Sequence, residues 1–493
     1  MKFYPFKCNI AVVSIKTKIA IQFLVNNITI VTNFLLTILL ARLLTPTDIG
    51  IFSMSAVLIG VAHVLRDFGV AAYLKRAKNL SEELIRSAFG LLLATSWVAA
   101  FILFLSAPYW ASFFNESRIS DVVQVLAIGF LFIPFGAIPS AILTRRLEVK
   151  KTSQVMLVSN VVHFFVCLLL AYFECAHMTM AWANLIDILV CGVGYRWVLG
   201  ERLPWLPSFK GWGHIAHFGL GNVVPALLHK VDGAIPDLAL GRLSNPAAVG
   251  LFSRASSTVN MLGEAINPTL NYFALPYLAQ VHHKSGRIDR EYLRASSLVN
   301  SIVFPVLVGV AALAPEIIDL LFGANWALSA EAIPWLCVAY GVGSLFSLTM
   351  PAMNSVGKPY GSIWPLFPLI LAKVIFVLIF FNGELSQFAF GMAVAQLASV
   401  PLYLYINKVY LQVSVVAWFG DVMRLGALAT LVGVACYGSK HLLLDGMHSS
   451  VVLVVGWAFT IVATLFGYWV LSLPIKEELK DLPIIGRKFF RMD

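Results

Sequence analysis

Residues 40–53 read LARLLTPTDIGIFS, and residues 240–253 read LGRLSNPAAVGLFS. Seven of these fourteen positions are identical: Leu40/Leu240, Arg42/Arg242, Leu43/Leu243, Pro46/Pro246, Gly50/Gly250, Phe52/Phe252 and Ser53/Ser253. Each copy joins two apolar runs through a short hairpin. An arginine at the carboxyl end of a helix complements the macrodipole, and its head can reach the interface. Proline cannot continue the first helix, and a glycine just inside the second lets another backbone come close. A repeat offset by 200 residues sets the architecture before any single motif does. Weaker echoes follow it. APYWASFF at 107–114 parallels APEIIDLLF at 314–322, and Pro139 and Pro351 fall at similar points of two further apolar runs.

The composition outside the repeat names the solvent. The chain has 493 residues, of which 59% are hydrophobic and 12% charged, with a mean hydropathy of +0.84. A soluble domain carries about 25% charged residues, so this chain has too few to cover a water-exposed surface. A bilayer core of about 30 Å needs about 20 mainly apolar helical residues. Fourteen runs meet that need: 20–41, 49–70, 87–107, 122–143, 153–173, 178–199, 216–240, 247–275, 297–315, 332–353, 360–382, 385–407, 421–444 and 451–473. The first follows Lys2, Lys7, Lys16 and Lys18, yet it is too long for a signal peptide, carries Asn26, Asn27 and Asn33, and lacks a small-x-small cleavage site. It is read as a true span. The expected fold is an all-α polytopic membrane protein, with six spans in 1–209, six in 210–412 and an unmatched pair in 413–493.

With both termini placed in the cytoplasm, 28 of the 35 Lys and Arg residues fall on the cytoplasmic side. Only Arg42, Arg118, Arg242 and Lys440 lie outside, and Lys230, Arg254 and Lys373 lie within spans. This is the positive-inside bias, so the net charge of +10 reports topology and not nucleic-acid binding. The six cysteines include no CxxC pair and read as small buried hydrophobes. No connection is much longer than 20 residues, which leaves no room for an extramembrane catalytic domain. Walker A, HExxH and GxSxG motifs are absent. A transporter without cofactor or metal is expected, and a membrane-embedded polymerase or transferase is the alternative of another class.

RLLTPTDIGIFSMSAVL at 42–58, ILTRRLEVKK at 142–151 and ALAPEIIDLLFGANWALSAEAI at 312–333 resemble the polysaccharide-exporter branch of the MOP superfamily. Its members include Wzx-type flippases of O-antigen and exopolysaccharide repeat units. The resemblance implies two six-helix lobes around a central cavity, with the last two spans beside them. It also implies translocation of an undecaprenyl-pyrophosphate-linked sugar from the cytoplasmic to the periplasmic leaflet of a bacterial inner membrane. The partners would be the lipid-linked oligosaccharide, membrane lipids and polymerase or assembly proteins, with H+ or Na+ coupling a candidate. The alternatives within the superfamily are a lipid II flippase and a cation-coupled multidrug exporter. The exporters typically have twelve spans.

Polar residues within the spans mark the candidate site. Ser253, Ser256, Asn260, Glu264, Asn267 and Asn271 recur every three or four residues on the eighth span, and Gln22, Asn26, Thr29, Asn33 and Thr37 do so on the first. Ser53, Gly60, His63 and Asp67 occupy the equivalent face of the second. Such stripes cannot face lipid; they serve helix packing or a hydrated cavity. Ionisable groups inside the membrane are functional candidates. Lys373, Lys230, Arg254 and Arg66 are assigned to a cationic cavity for the pyrophosphate, the alternative for Lys230 being a bridge to Asp232 or Asp237. Asp67, Asp232 and Glu264 are candidates for coupling-ion or counter-ion roles. Pro225, Gly233 and Pro236 should bend or partly unwind the seventh span and act as hinges.

Overall fold

The computed structural model describes residues 15–67, 69–77, 80–201, 203, 206–443 and 447–471; both ends, including Lys2 and Lys7, lie outside the described residues. The helices are α1 (Ile15–Leu43), α2 (Pro46–Asp67), α3 (Val70–Arg76), α4 (Glu82–Phe114), α5 (Arg118–Arg145), α6 (Val149–Tyr172), α7 (Thr179–Leu199), α8 (Trp212–Leu243) and α9 (Pro246–Ser285). They continue with α10 (Asp289–Ala312), α11 (Ala314–Leu321), α12 (Ser329–Ser344), α13 (Thr349–Ser355), α14 (Leu366–Ile379), α15 (Leu385–Leu411), α16 (Val415–Leu443) and α17 (Ser449–Val470). No strand occurs among the described residues. In hydrocarbon, helices are one of two ways to satisfy every backbone polar group.

Twelve stretches of described residues are long and apolar enough to cross a membrane. They correspond to the expected spans except the seventh and eighth, which are α8 and α9, helices of 32 and 40 residues. Within those two, the side chains of residues 214, 216–222, 262 and 264–273 lie outside the described set. The sequence reading differs from the structure at two elements. The tenth run is not one helix: α12 ends at Ser344, a turn follows, and α13 resumes at Thr349. Ser344 Oγ donates to Asn300 Oδ1 at 2.7 Å and Asn300 Nδ2 donates to the Ser344 carbonyl at 3.3 Å, so α10 supplies partners that the break leaves open. The expected unwinding of the seventh span is absent, since α8 is continuous through Pro225 and Pro236.

The chain forms two compact units, Met1–Gly250 and Leu251–Asp493. In the first, α5 is central and packs on α2, α3, α4 and α7. Small residues set its approach to α7: a Cβ on Gly136 would stand 3.0 Å from the Gly192 Cα. Such contacts hold helices together where lipid offers no hydrophobic drive. Helix α8 packs on α2 and α4. In the second unit, α16 and α17 pack on α10 and α11. Tyr468 donates to the Ser301 carbonyl at 2.7 Å, and Lys440 pairs with Glu316 at 2.8 Å.

The repeated hairpin has the same mechanics in both copies. Thr45 Oγ1 accepts from the Asp48 N–H at 3.2 Å, and Asn245 Oδ1 accepts from the Ala248 N–H at 2.8 Å. Two non-identical residues therefore cap equivalent helices. Pro46–Gly50 and Pro246–Gly250 then cross reciprocally within the first unit. A Cβ on Gly50 would overlap the Pro246 carbonyl, and one on Gly250 would overlap the Pro46 carbonyl. This is the contact pattern of a local two-fold. Gly50→Ala and Gly250→Ala should each destabilise the purified protein by about 1–3 kcal/mol through overpacking. The two losses should be nearly equal, because the contacts are reciprocal. Thermal unfolding that tolerates one substitution and not the other contradicts that reading.

The chain between α7 and α8 is strapped to the start of α4 and the end of α5. Arg146 holds Glu201 through two hydrogen bonds of 2.6 and 2.9 Å, and Arg196 donates to the Glu201 carbonyl at 2.7 Å. Arg86 Nε donates to the Leu206 carbonyl at 3.0 Å, while the Ser208 N–H donates to the Arg86 carbonyl at 3.1 Å. A Cβ on Gly90 would stand 2.7 Å from the Ser208 carbonyl, so glycine admits the strap. Hydrogen bonding from Arg146 holds the Glu201 carboxyl below its ordinary range. With the folded pKa depressed, the pair's stabilisation is present above the unfolded value of about 4.3 and is lost as pH falls through the folded value. Glu201→Gln should therefore cost under about 1 kcal/mol at pH 7, the carboxylate being half exposed. That cost should vanish at a pH below the folded value, as read from melting curves of the two proteins across pH. A cost that persists in acid contradicts the assignment.

Candidate functional site

The Gly60–Arg66 stretch of α2 carries Gly60, His63 and Arg66 three residues apart; Lys230 of α8 lies over Gly60, and Phe130 of α5 lies against His63 and Arg66. The Lys230 side chain lies over Gly60, its Cδ and Nζ 3.8 and 3.9 Å from where a Cβ would stand. Arg66 Nη2 donates to His63 Nδ1 at 3.3 Å. The Arg66 guanidinium carbon is 6.0 Å from the Phe130 ring centre, and the His63 ring is 4.6 Å from the same ring. Thr95 of α4 donates to the Arg66 carbonyl at 2.8 Å and fixes the last turn of α2. Arg66 Nε and Nη1 are buried without a hydrogen-bond partner.

Buried donors with nothing to donate to cost free energy. Arg66 carries two of them on one guanidinium, a group whose directional donors suit an anionic acceptor. Asp67 is the carboxylate that acts on Arg66, and it follows Arg66 directly in the chain.

The other sequence candidates are distributed as follows. Arg254, in the second unit, lies against the buried Trp326 at 5.9 Å, and its Nε is buried without a partner. Lys373 is half-buried on α14 of the same unit. Asp232 is half-buried on α8 and Asn260 is exposed on α9, while the side chains of Glu264 and Asn267 lie outside the described residues. Of the hinge candidates on α8, Pro225 and Pro236 are half-buried and Gly233 is exposed. On the α1 stripe, Asn26 Oδ1 accepts from Gln22 of the same helix at 3.0 Å, and Asn33 Oδ1 accepts from Asn160 of α6 at 3.1 Å. The structure thus joins Arg66, His63 and Lys230, and it places Arg254 and Lys373 on two other helices.

A polar cluster between α6 and α7 is not among those candidates. Asp187 accepts from Ser159, Cys191 Sγ donates to Ser159 Oγ at 3.1 Å, and His163 lies 3.5 Å from Cys167 Sγ. The signal was present, because Asp187 stands mid-span in NLIDILVCG as Asp232 does in its own span.

The fold is that of MOP-superfamily transporters. Lipid II flippase MurJ in an inward closed conformation matches with TM-score 0.71 at 9% identity, over 93% of this chain and 100% of that one. An inward-facing MATE-family multidrug resistance transporter matches with TM-score 0.57 at 14% identity, over 82% and 96%. Residues 39–331 match the family described as polysaccharide biosynthesis protein, and the chain belongs to it. The teichuronic acid biosynthesis protein TuaB of Bacillus subtilis (strain 168) is 22% identical over 408 residues, 81% of this chain and 83% of that one. The lipopolysaccharide biosynthesis protein WzxC of Escherichia coli (strain K12) is 22% identical over 335 residues, 66% and 64%. The succinoglycan biosynthesis transport protein ExoT of Rhizobium meliloti (strain 1021) is 19% identical over 329 residues, 66% of each chain.

Replacing an unpaired buried cation by an apolar side chain of similar length should leave the fold intact or firmer. Arg66→Met should therefore melt within about 2 °C of the wild type or above it. A fall of about 5 °C or more would make Arg66 a structural cation.

Proposed function

We propose that the protein is a flippase that moves a polyprenyl-pyrophosphate-linked oligosaccharide repeat unit across the bacterial inner membrane, for surface polysaccharide biosynthesis, without chemical conversion. The family match and the names of TuaB, WzxC and ExoT support the substrate class. One observation carries the reading to a place in this chain: Arg66 has two unpartnered buried nitrogens, and Lys230 lies over Gly60 of the same helix. A diphosphate inside lipid needs such donors, because the alternative is an unsolvated anion. Arginine offers directional donors and lysine a mobile point charge.

In this reading 1–209 and 210–412 form two six-helix lobes around a cavity, 413–493 adds the last pair, and both termini face the cytoplasm. Arg254 and Lys373 serve the same diphosphate at other stages of alternating access. Asp67, Asp232 and Glu264 balance these charges or couple transport to H+ or Na+. Pro225, Gly233 and Pro236 give α8 its compliance during the cycle. Polymerase or assembly proteins receive the flipped unit.

The test is reconstitution into sealed liposomes with an undecaprenyl-pyrophosphate oligosaccharide, scoring leaflet exchange. The wild type should accelerate exchange over protein-free vesicles. A charge-assisted hydrogen bond contributes about 1.5–3 kcal/mol, so Arg66→Met and Lys230→Met should each slow exchange about 10–100-fold. Exchange at the wild-type rate in both variants contradicts the assignment of the site. No acceleration by the wild type, for every glycan native to the host, contradicts the function.

A further inference from the structure

Resting on the flippase reading and deepening its site, we propose that His63 is the positioning residue for Arg66: its neutral imidazole accepts from the guanidinium and keeps the remaining donors turned toward the substrate diphosphate and away from Asp67.

The donor chemistry fixes the direction of this bond. A guanidinium only donates, so the 3.3 Å contact between Arg66 Nη2 and His63 Nδ1 requires a lone pair on Nδ1. The ring proton then sits on Nε2. The helix supplies the register, since residues three apart share a face and adjacent residues point about 100° apart. His63 and Arg66 are therefore natural partners along α2, whereas Asp67 adjoins Arg66 in the chain and projects about 100° from it.

The ring itself is held in place. Phe130 of α5 packs on it at 4.6 Å with the planes tilted by 42°. Thr95 of α4 anchors the Arg66 carbonyl and so fixes the turn from which the guanidinium projects. The charged groups that act on His63 are Arg66 on its own helix and Lys230 on α8. Both are cations, so an acceptor at this position suits the surroundings and a third cation would not. Two forces then compete for Arg66. Asp67 attracts it, and an Arg66–Asp67 pair would leave the guanidinium neutralised and turned from the anion site. His63 holds one nitrogen by a neutral bond, which leaves the positive charge available and Nε and Nη1 without a protein acceptor.

Isosteric replacement separates this role from packing. The asparagine side-chain oxygen can stand where Nδ1 stands, one bond beyond Cγ. The glutamine amide reaches the position of Nε2 instead, although glutamine is closer to histidine in size. Binding of undecaprenyl pyrophosphate to protein in nanodiscs is measured first, and leaflet exchange in liposomes second. His63→Asn should bind within about threefold of wild type, while His63→Gln and His63→Leu should weaken binding about tenfold, one lost hydrogen-bond contribution. At saturating lipid the exchange rate should change less than the half-saturation point does. In an Arg66→Met background the three substitutions should become equivalent, because nothing remains to be positioned.

Equal losses for Asn, Gln and Leu, or a better result for Gln than for Asn, overturn the proposal in favour of packing. So does an Nδ1–H tautomer in the nitrogen-15 spectrum of the wild-type imidazole, a readout that needs no substrate. A wild type that binds none of the lipid, yet shows the Nε2–H tautomer, contradicts the flippase reading and not the His63–Arg66 geometry.

Discussion

In hydrocarbon a polar group that lacks a partner has no water to fall back on, and each such group costs several kcal/mol. This constraint acts on the backbone first. It makes the described chain all-helical, and it puts a side-chain acceptor at the start of α2, where Thr45 caps the helix. It acts next on the side chains. Where a broken helix exposes backbone, as between α12 and α13, Asn300 and Ser344 close the gap within the protein. Tyr292, Thr349 and Asn407 do the same among themselves, with Tyr292 and Thr349 sharing a 2.9 Å hydrogen bond and Asn407 donating to Tyr292 at 3.0 Å.

Once most polar groups are accounted for in this way, the exceptions carry information. Arg66 is such an exception on α2, and the neighbouring groups make it more pointed. Phe130 and Thr95 hold its surroundings still, and Lys230 adds a second cation. Nothing in the packing of α2 against α5 and α8 requires a guanidinium there. Donors kept open at a cost to the fold are what the proposed binding site would need.

Much of this was legible in the sequence because it is local. The hairpin at 40–53 names its own parts, and only the equivalence of Thr45 and Asn245 needed coordinates, since identity counting treats them as a mismatch. Arg66, Lys230 and His63 were each visible as polar residues inside apolar runs. Their meeting was not, because Lys230 lies 164 positions beyond Arg66 in the chain and only the packing of α8 on α2 brings them together. Periodicity likewise could not show that the tenth run breaks after Ser344, because the break is stabilised by α10, a distant partner. Nor could prolines alone decide whether α8 unwinds; it is continuous through both Pro225 and Pro236.

The central claim is that the Gly60–Arg66 face is an accessible site that selects anions. Gly60→Cys in a cysteine-free background tests it directly, since the thiol would sit under Lys230. The account predicts that an anionic sulfonate thiol reagent modifies this cysteine at least about tenfold faster than a cationic ammonium reagent of similar size, and that undecaprenyl pyrophosphate slows the reaction. Equal rates for the two reagents, with no protection by the lipid, would contradict it.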